Sequence, residues 1–482
     1  MSVPVIVGSG LAGLTVAGAL APKPCILITA AELTGGAASM WAQGGIAAAL
    51  GADDSPALHA ADTATAGAYL GDAQAINRIT TAAPDVVRHL LALGVPFDIR
   101  SGDGTLDLAL EGGHCRRRIA HAGDRSGAAI TSTVAQHIAA LGSVEVRAGH
   151  RARRLLLDAH GQVSGLIVED AAGAVTEIHT DRVVLATGGL GGLFAHTTNP
   201  RTALGQGVAI AARAGARTDD LHFVQFHPTA LDVGLDPMPL LTEALRGAGA
   251  VLLGDGERFI DELQPRDVVA AAVWAQAQRG HRVTLDARHV PDVAARFPAV
   301  AELVAAAGLD LAHDLLPAAP AAHYSMGGVT VDRRSRTSVP GLWAVGEVAR
   351  TGLHGGNRLA SNSLLEAVVT GEAAAADLLD PEWSARANEV ATADADCTRA
   401  HSSGREVPLQ QIRDTLQQAC GVLRSEHELR AAVERLEGCT HEDAAYVAWL
   451  IARSALADPR SVGAHRRVQN APAENSTAGS IV

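Results

Sequence analysis

The chain has 482 residues, of which 48% are hydrophobic and 19% charged, and a formal net charge of −13. This length exceeds one comfortable hydrophobic core, so we expect a folded protein of two or three domains. The negative charge argues against nucleic-acid binding, because phosphate recognition depends on a basic surface. A small anionic ligand is compatible with it if a few basic side chains converge.

The five cysteines contain no C-x-x-C pair, so neither a zinc ribbon nor a redox dithiol is predicted, and no metal site is expected. So few cysteines in a long chain favour free thiols in a reducing compartment. The strand pattern at 3–7 begins without a basic or apolar leader, and no window of about 18 apolar residues lacks glycine or charge. We therefore expect a soluble, cytoplasmic protein without a membrane span.

The first motif is a strand, a glycine loop and a helix at residues 3–20. Gly8-x-Gly10-x-x-Gly13 follows a short apolar strand and opens a helix of Ala, Leu and Val. Gly8 permits a tight turn, Gly10 lets the backbone approach a pyrophosphate, and Gly13 lets helix and strand pack closely. In this context the triplet predicts dinucleotide binding. Glu32, after the next predicted strand, either binds a ribose or is a solvated loop residue.

Three distant segments predict that this dinucleotide is FAD. Residues 181–192 and 341–349 are apolar strands that end in glycine-containing turns, and residues 37–49 are either a glycine loop near the flavin ring or a flexible linker. A chain that returns to one cofactor from such distant points wraps a long ligand, which favours FAD over a nicotinamide nucleotide. The residues implicated here are Gly44, Gly45, Thr187, Gly188 and Glu347.

The remaining segments predict further elements. Residues 144–187 alternate short β-rich runs with turns, which predicts a small antiparallel meander. Between about 221 and 324 the composition favours helices with proline breaks, which indicates an inserted domain. Segments at 410–423, 426–437 and 441–456 have helical apolar spacing and predict a C-terminal bundle. The last residues, from 470, have little to bury and are expected to be disordered.

Six polar stretches occur in one order along the chain: LEGGHCRRRIAHAGD (110–124), VQFHPTA (224–230), LLTEALRGAGA (240–250), LQPRDVVA (263–270), AAHYSMGGV (321–329) and HGGNRLASNSLLEA (354–367). Together they resemble the succinate dehydrogenase/fumarate reductase flavoprotein family, and its aspartate oxidase branch in particular. The resemblance implies an α/β fold with a Rossmann-like FAD-binding domain, an inserted α+β capping domain and a C-terminal helical bundle. The implied domains are 1–220 and 325–395 for FAD, 221–324 for the cap, and 396–482 for the helical domain.

The resemblance also implies a dicarboxylate site. Arg358 would grip one carboxylate, a task suited to the rigid guanidinium fork. Arg266 matches the arginine that shuttles a proton in fumarate reduction. Glu111 is the candidate for recognising an α-ammonium group, because a carboxylate there would attract aspartate and not succinate; the alternative is a surface acid beside the arginines at 116–118. The other implied residues are His227 and His323 as catalytic groups, and Thr242, Glu243 and His114 as substrate-binding groups.

Each residue taken alone has a plainer interpretation. A single buried histidine is more often structural than catalytic. Arg266 could form a helix-start ion pair with Asp267, since arginines are mostly surface residues. Glu243 and Arg246 could be a simple i,i+3 pair. An active site is favoured because all six segments occur together, in the same order as in the family that they resemble.

Two positions bear on how FAD is held. Ala38 lies five residues before Gln43, where the succinate enzymes carry the histidine that bonds the flavin, so FAD is expected to be non-covalent. Gln206 replaces the family's aspartate in a Gly-x-Gly turn, which is expected to lower FAD affinity. Further cofactor contacts implied by the resemblance are Ser9, Leu11, Ala12, Ser39, Ala152, Asn357, Ser361, Ser363 and Leu364.

The implied reaction is oxidation of L-aspartate to iminoaspartate, with O2 (giving H2O2) or fumarate as electron acceptor. The product would enter quinolinate and NAD biosynthesis, with a functional hand-off to quinolinate synthase. A monomer without nucleic-acid or membrane partners is expected. The alternative enzyme is a soluble fumarate reductase or succinate dehydrogenase-like flavoprotein, and the non-enzymatic alternative is a flavoprotein subunit that works through partner binding.

Overall fold

The computed structural model describes residues 2–33, 35–380, 390 and 404–468. The predicted domain boundary at 395/396 and the predicted disordered end from 470 lie outside the described residues. In the part of the chain that the structure describes, no helix is both long and apolar enough to cross a membrane.

The first segment of the chain alternates short strands with helices. Its strands are β1 (Val5–Val7), β2 (Cys25–Thr29), β3 (Ile46–Ala47), β4 (Leu108–Ala109), β5 (Ile119–Ala120), β6 (Val144–Ala148), β7 (Arg151–Leu157), β8 (Val163–Glu169), β9 (Val175–His179), β10 (Val183–Leu185) and β11 (Thr218–Asp219). Its helices are α1 (Leu11–Leu20), α2 (Pro56–Ala66), α3 (Ala73–Ala92), α4 (Ser126–Ala139) and α5 (Gln206–Arg213).

The middle, return and tail segments complete the fold. The middle segment contains β12 (Val224–Leu231), α6 (Glu243–Gly247), β13 (Val251–Gly254), β14 (Glu257–Arg258), α7 (Arg266–Gln278), β15 (Val283–Asp286), α8 (Val293–Arg296), α9 (Pro298–Ala306) and β16 (Leu316–Ser325). The return segment contains β17 (Gly328–Thr330), β18 (Leu342–Ala344), β19 (Ala349–Arg350) and α10 (Asn362–Leu379). The tail contains α11 (Leu409–Cys420), α12 (Glu426–Glu437) and α13 (Asp443–Ala457).

A five-stranded parallel sheet in the order β18-β10-β1-β2-β6 organises the molecule. Every residue of β1, β2, β10 and β18 is buried, because α1, α4 and α10 pack on one face of the sheet and the strands β7 and β8 pack on the other. The register pairs Val7 with Leu185 and Leu185 with Ala344, so these three strands end side by side. Ligands bind at the carboxyl ends of such strands, which places the glycine loop and the turns after β10 and β18 at one edge. The predicted α/β fold class is confirmed.

The predicted meander over 144–187 is wrong in its first strand. β6 pairs in parallel with β2, Cys25 opposite Val144, and so forms the edge of the main sheet. Only β7, β8 and β9 form an antiparallel meander. A half-exposed edge strand has the same residue pattern as a strand in a solvated hairpin, so the sequence pattern could not separate the two.

The middle segment is built on a sheet that its composition does not suggest. Five antiparallel strands run in the order β12-β16-β15-β13-β14, with α7 packed against β12. β16 reads LPAAPAAHYS, and its alanines and two prolines are poor strand signals. Val269 and Val273 of α7 join the core with Leu285 of β15. The three tail helices pack on one another, as the predicted bundle requires, and α13 also packs against α5 of the first segment.

Candidate active site

One cavity of about 970 Å³ is lined both by the glycine loop after β1 and by side chains of the middle segment. It gathers most of the residues singled out from the sequence. Those on its wall are Gly8, Ser9, Gly10, Leu11, Ala12, Ala38, Ser39, Gln43, Gly44, Gly45, Glu111, Ala152, Thr187, Gly188, Gln206, His227, Thr242, Glu243, Arg266, His323, Glu347, Arg358, Ser361, Ser363 and Leu364.

The three motif glycines have different reasons to be glycine. Gly8 has φ +113°, and an added Cβ would overlap the carbonyl of Ala186. Gly13 lies behind the cavity wall, and a Cβ there would overlap the carbonyl oxygen of Gly8. Gly10 precedes α1 in extended backbone, and the protein atom nearest to an added Cβ is Ser39 Oγ at 3.6 Å. Packing therefore demands Gly8 and Gly13, while Gly10 faces open space into which a ligand can come.

Buried polar atoms at this end of the cavity need a partner that the protein does not supply. Thr187 Oγ1 and Gln43 Oε1 are buried and make no hydrogen bond to any described residue. An unpaired buried polar atom costs about 1–3 kcal/mol, so such atoms favour a polar ligand. Together with the glycine loop at the start of α1, they fit a bound dinucleotide.

Glu347 lies on the same wall, after β18. Its carboxylate accepts hydrogen bonds from the Ser325 amide at 3.0 Å and from Ser325 Oγ at 3.1 Å. Burial raises the pKa of Glu347 to about 7. Near neutral pH this group therefore exchanges between an acceptor-only carboxylate and a carboxylic acid that can donate.

The segment around 37–49 is close to other protein backbone and not only to the cavity. A Cβ on Gly45 would overlap the carbonyl oxygen of Ala120, and a Cβ on Gly44 would lie 2.6 Å from Glu111 Oε1. Packing against backbone thus requires Gly45, whereas a side chain at position 44 would displace the Glu111 carboxylate. Glu32 is exposed and is not among the residues that line the cavity.

Gln225 joins the two predicted catalytic arginines. Its Oε1 accepts from Arg266 Nη1 at 3.0 Å and from Arg358 Nε at 3.3 Å. Its Nε2 donates to Asn357 Oδ1 and to the carbonyl of Arg358, both at 2.8 Å. A fully buried amide thus fixes two like charges in one place.

Arg266 is held by Glu243 and not by its neighbour Asp267. Arg266 Nε donates to Glu243 Oε2 at 2.6 Å, and Arg246 Nη2 lies 3.3 Å from Glu243 Oε1. Although burial opposes ionisation of Glu243, the charges of Arg266 and Arg246 lower its pKa. The i,i+3 pair of Glu243 and Arg246 is therefore formed and is compatible with the predicted active site, while the Arg266–Asp267 pair is not formed.

Arg358 is buried, with only 4% of its surface exposed. Its Nη1 donates to Ser363 Oγ at 3.0 Å, and its guanidinium carbon lies 4.7 Å from the centre of the Tyr324 ring. Burial, and then the charge of Arg266, lower its pKa to about 10. Within the described residues, Nη2 of Arg358 and Nη2 of Arg266 make no hydrogen bond, which leaves each a donor for an anion in the cavity.

His227 and His323 face each other, with ring centres 5.1 Å apart. The Thr229 amide donates to His227 Nδ1 at 3.3 Å, so the proton of the neutral ring is on Nε2. Nε2 of His227 is buried and has no partner among the residues that the structure describes. Burial and the charge of Arg266 lower the pKa of both rings well below the ordinary value. They are neutral hydrogen-bonding groups at physiological pH.

Glu111 is buried on the cavity wall, so it is not a surface acid. Its Oε2 accepts from Ser361 Oγ at 2.6 Å. Burial and the nearby charge of Glu243 raise the pKa of Glu111, while Ser361, Arg266 and Arg358 oppose that shift. A buried carboxylate whose Oε1 has no hydrogen bond within the described chain favours a cationic partner.

Three predicted residues do not reach the cavity: Gly13, His114 and Asn357. His114 Nε2 donates to the carbonyl of Ala360 at 3.0 Å, and burial lowers its pKa to about 4. His114 therefore lies behind the cavity wall, and its contact with substrate stays a prediction. Asn357 accepts from Gln225 and donates to the carbonyl of Ala66 at 3.2 Å, so it supports the site from behind.

The sequence analysis missed Gln225 and Tyr324. Gln225 precedes His227 by two residues in β12, and alternate residues of a strand share a face. That spacing was a usable signal, because it places the amide beside a predicted catalytic histidine. Tyr324 had no such signal, since its role depends on contact with Arg358.

The fold and the cavity define an FAD-dependent oxidoreductase, and comparison with known proteins agrees. The profile of a family described as "FAD binding domain" matches residues 4–364. A quinol fumarate reductase from E. coli is 28% identical, with a TM-score of 0.86, and the alignment covers 99% of this chain and 92% of that one. The adenylylsulfate reductase of Archaeoglobus fulgidus, at 15% identity and a TM-score of 0.71, shares the fold alone.

Curated relatives narrow the class of FAD-dependent oxidoreductase to one family. The L-aspartate oxidase of Caulobacter vibrioides is 45% identical, over 96% of this chain and 93% of that protein. That of Mesorhizobium japonicum is 46% identical, over 96% of this chain and 91% of that protein. The chain belongs to the L-aspartate oxidase family of FAD-binding flavoproteins.

Proposed function

We propose that this chain oxidises L-aspartate to iminoaspartate with FAD. The observation that carries the proposal is the joint placement of Arg266, Arg358 and Glu111 on the wall of one cavity. Two cations suit two carboxylates, and one carboxylate suits an amine. Only an amino dicarboxylate satisfies all three groups.

Arg358 and Arg266 bind the two carboxylates. Gln225 and Ser363 fix the Arg358 guanidinium, and Gln225 and Glu243 fix that of Arg266, so little side-chain entropy is lost when substrate binds. The His227 Nε2–H and Thr242 are further hydrogen-bonding groups for the same anion. Neutral histidines add hydrogen bonds without adding a third charge.

Glu111 selects the amine. Its carboxylate attracts the α-ammonium of aspartate, and succinate has no group to satisfy it. Because the pKa of Glu111 is raised, its carboxylate is also able to hold a proton taken from the ammonium. Ser361 donates to Oε2, which keeps Oε1 as the atom that meets the amine.

The residues around the glycine loop would hold FAD without a covalent bond at Ala38. Gly10, Thr187, Gln43, Gln206 and Glu347 supply backbone approach and hydrogen bonds. Bound FAD supplies the acceptor for the hydride that leaves the substrate Cα. Gln206 begins α5 without a charge, so we propose that FAD is held less tightly than it would be with an aspartate at this position.

We also propose the domain assignment: FAD-binding segments at 1–220 and 325–395, a capping domain at 221–324 and a helical domain at 396–482. Arg266 and Glu243 come from the cap, while Arg358 and Glu111 come from the FAD segments. Closure of the cap would exclude water and complete the site. Fumarate or O2 as electron acceptor, a monomeric state and a hand-off of product to quinolinate synthase belong to the same proposal.

Anaerobic bleaching of the flavin tests the reaction directly. L-aspartate, D-aspartate and succinate are mixed in parallel with oxidised holoenzyme, and the loss of flavin absorbance is followed. We expect bleaching by L-aspartate, and little by D-aspartate or succinate. Bleaching by succinate alone would contradict the oxidase and support the alternative, a succinate- or fumarate-active flavoprotein, which the structural similarity to a fumarate reductase favours.

Arg358→Leu tests the carboxylate clamp. We expect loss of both aspartate oxidation and fumarate reduction, because both substrates carry the carboxylate that Arg358 holds. Retention of either activity, with FAD content unchanged, would place the clamp elsewhere.

A further inference from the structure

The tail segment 461–468 returns from the helical region to the loop that carries Arg358. The Ala464 amide donates to the carbonyl of Gly356 at 2.8 Å, two residues before Arg358. Gly463 has φ +55°, and a Cβ there would overlap that same carbonyl oxygen. Ala464 also packs in one apolar cluster with Tyr324, whose ring lies against Arg358. The segment therefore supports Arg358 from behind.

The same segment reaches the helix that carries Arg266. Arg466 Nη2 donates to Asp267 Oδ2 at 2.7 Å. Asp267 is the second residue of α7, and Arg266 is the first. The ion pair is partly shielded, with 32% of the Arg466 side chain and 10% of the Asp267 side chain exposed. An anion in the first turn of a helix is already favoured by the helix dipole, and Arg466 fixes its direction.

The segment is itself firmly held. Arg424 is fully buried, and its Nη1 donates to the carbonyl of His222 at 2.7 Å and to His465 Nδ1 at 2.8 Å. Its backbone pairs with the segment, through Arg424 N to the carbonyl of Arg466 at 2.9 Å and Val468 N to the carbonyl of Arg424 at 3.0 Å. Because these bonds anchor the segment, it can fix the positions of the residues that its own side chains contact.

We propose that Arg466 is a positioning residue for Arg266. Through Asp267 it fixes the start of α7 against the same tail segment that supports the Arg358 loop. The distance between the two carboxylate-binding arginines is thereby set from outside the cavity. The role rests on the proposed function of Arg266 and Arg358, but the contacts themselves do not.

The test compares Arg466→Gln, Arg466→Lys and Asp267→Asn with the matched control Arg467→Gln. Arg467 lies in the same segment, but its side chain contacts Ala455, Asp458 and Glu426 and not the cap. Loss of a partly shielded ion pair predicts a decrease in kcat of about 5-fold for Arg466→Gln and Asp267→Asn, with KM for aspartate within about 2-fold. Arg466→Lys keeps the charge and should recover most of kcat.

The double variant Arg466→Gln/Asp267→Asn should lose no more kcat than either single variant, because both changes break one contact. FAD content and melting temperature are measured on all variants, and only folded holoenzyme is compared. Equal losses in Arg466→Gln and Arg467→Gln, an unchanged kcat in Arg466→Gln, or additive losses in the double variant would each overturn the proposal.

Hydrogen exchange of the holoenzyme gives a readout that needs no turnover. The peptide that begins α7 should exchange faster in Arg466→Gln than in the unmodified protein, and it should be unchanged in Arg467→Gln. Unchanged exchange in Arg466→Gln would overturn the proposed link to the cap. If the unmodified protein failed to oxidise aspartate, the proposed function would fall while this structural test kept its meaning.

Discussion

The guanidinium carbon of Arg358 lies 4.7 Å from the centre of the Tyr324 ring. The tyrosine hydroxyl donates to Glu366 Oε2 at 2.7 Å, which fixes the ring. A cation over an aromatic face is attracted by the negative charge of that face, and burial strengthens the attraction. The Tyr324 ring contacts the flat face of the Arg358 guanidinium, and Gln225 and Ser363 accept hydrogen bonds from its edge. Together these contacts fix the plane of the guanidinium.

We expect Tyr324→Leu to lower kcat/KM for aspartate by about 30-fold, since a desolvated cation–π contact contributes on the order of 2 kcal/mol. Tyr324→Phe keeps the ring and loses only the hydroxyl, so it should retain more activity. Steady-state rates for the two variants, at equal FAD content, give the comparison. Equal losses would show that the hydroxyl, and not the ring face, holds Arg358.

Glu111→Gln should reduce kcat/KM for aspartate by about 10²-fold, which is the loss expected when one partner of a buried charge pair is removed. Fumarate reduction should fall far less, because fumarate has no amine. Equal losses in the two reactions would remove Glu111 from amine recognition.

The same residue predicts a pH dependence. The pKa of Glu111 is raised, mainly by burial, and its ionised form attracts the ammonium. kcat/KM for aspartate should therefore fall as the pH decreases through that raised pKa. This acid limb should be absent from the Glu111→Gln profile, and its persistence there would assign it to another group.

Glu347 predicts a pH dependence of stability. Burial raises its pKa in the folded protein to about 7, above the ordinary value of about 4.5, so the folded state binds the proton more tightly than the unfolded state. The contribution of Glu347 to stability is therefore present at low pH and is lost as the pH rises from about 4.5 through about 7. The free energy of unfolding of the apoprotein should fall over this range, by up to about 3 kcal/mol from this residue.

Urea unfolding of apoprotein at pH 5 and pH 8 measures this effect. Glu347→Gln should be more stable than the unmodified apoprotein at pH 8 and similar to it at pH 5, because glutamine cannot ionise. A variant that is destabilised equally at both pH values would show that the carboxylate stabilises the fold.

Two glycine substitutions separate packing from ligand approach. Gly13→Ala should impair folding, because its Cβ would overlap the carbonyl oxygen of Gly8. Gly10→Ala places its Cβ no closer than 3.6 Å to protein atoms, so the apoprotein should keep its melting temperature. FAD affinity, measured by flavin fluorescence, should nevertheless fall by about 10-fold or more if backbone approaches the pyrophosphate there. Unchanged FAD affinity in Gly10→Ala would contradict the assignment of this loop.

The sequence alone determined the class of fold and most of the cavity wall. Glycine spacing after a strand and apolar helix periodicity depend on local geometry, so the glycine loop, α1 and the tail helices α11 to α13 follow from residues close together in the chain. Motif order then brought Glu111, Arg266 and Arg358 into one predicted site, which the cavity contains.

Only the tertiary structure decided which strands pair and which side chains bond to each other. β6 belongs to the parallel sheet, and β16 is a strand in spite of its prolines, because pairing with distant strands outweighs weak local preference. His114 turns to the Ala360 carbonyl, and Asp267 pairs with Arg466 and not with Arg266, across 199 positions of chain. A side chain's hydrogen-bond partner depends on which groups the fold brings within about 3 Å of it. Spacing along the sequence does not predict such contacts between distant residues.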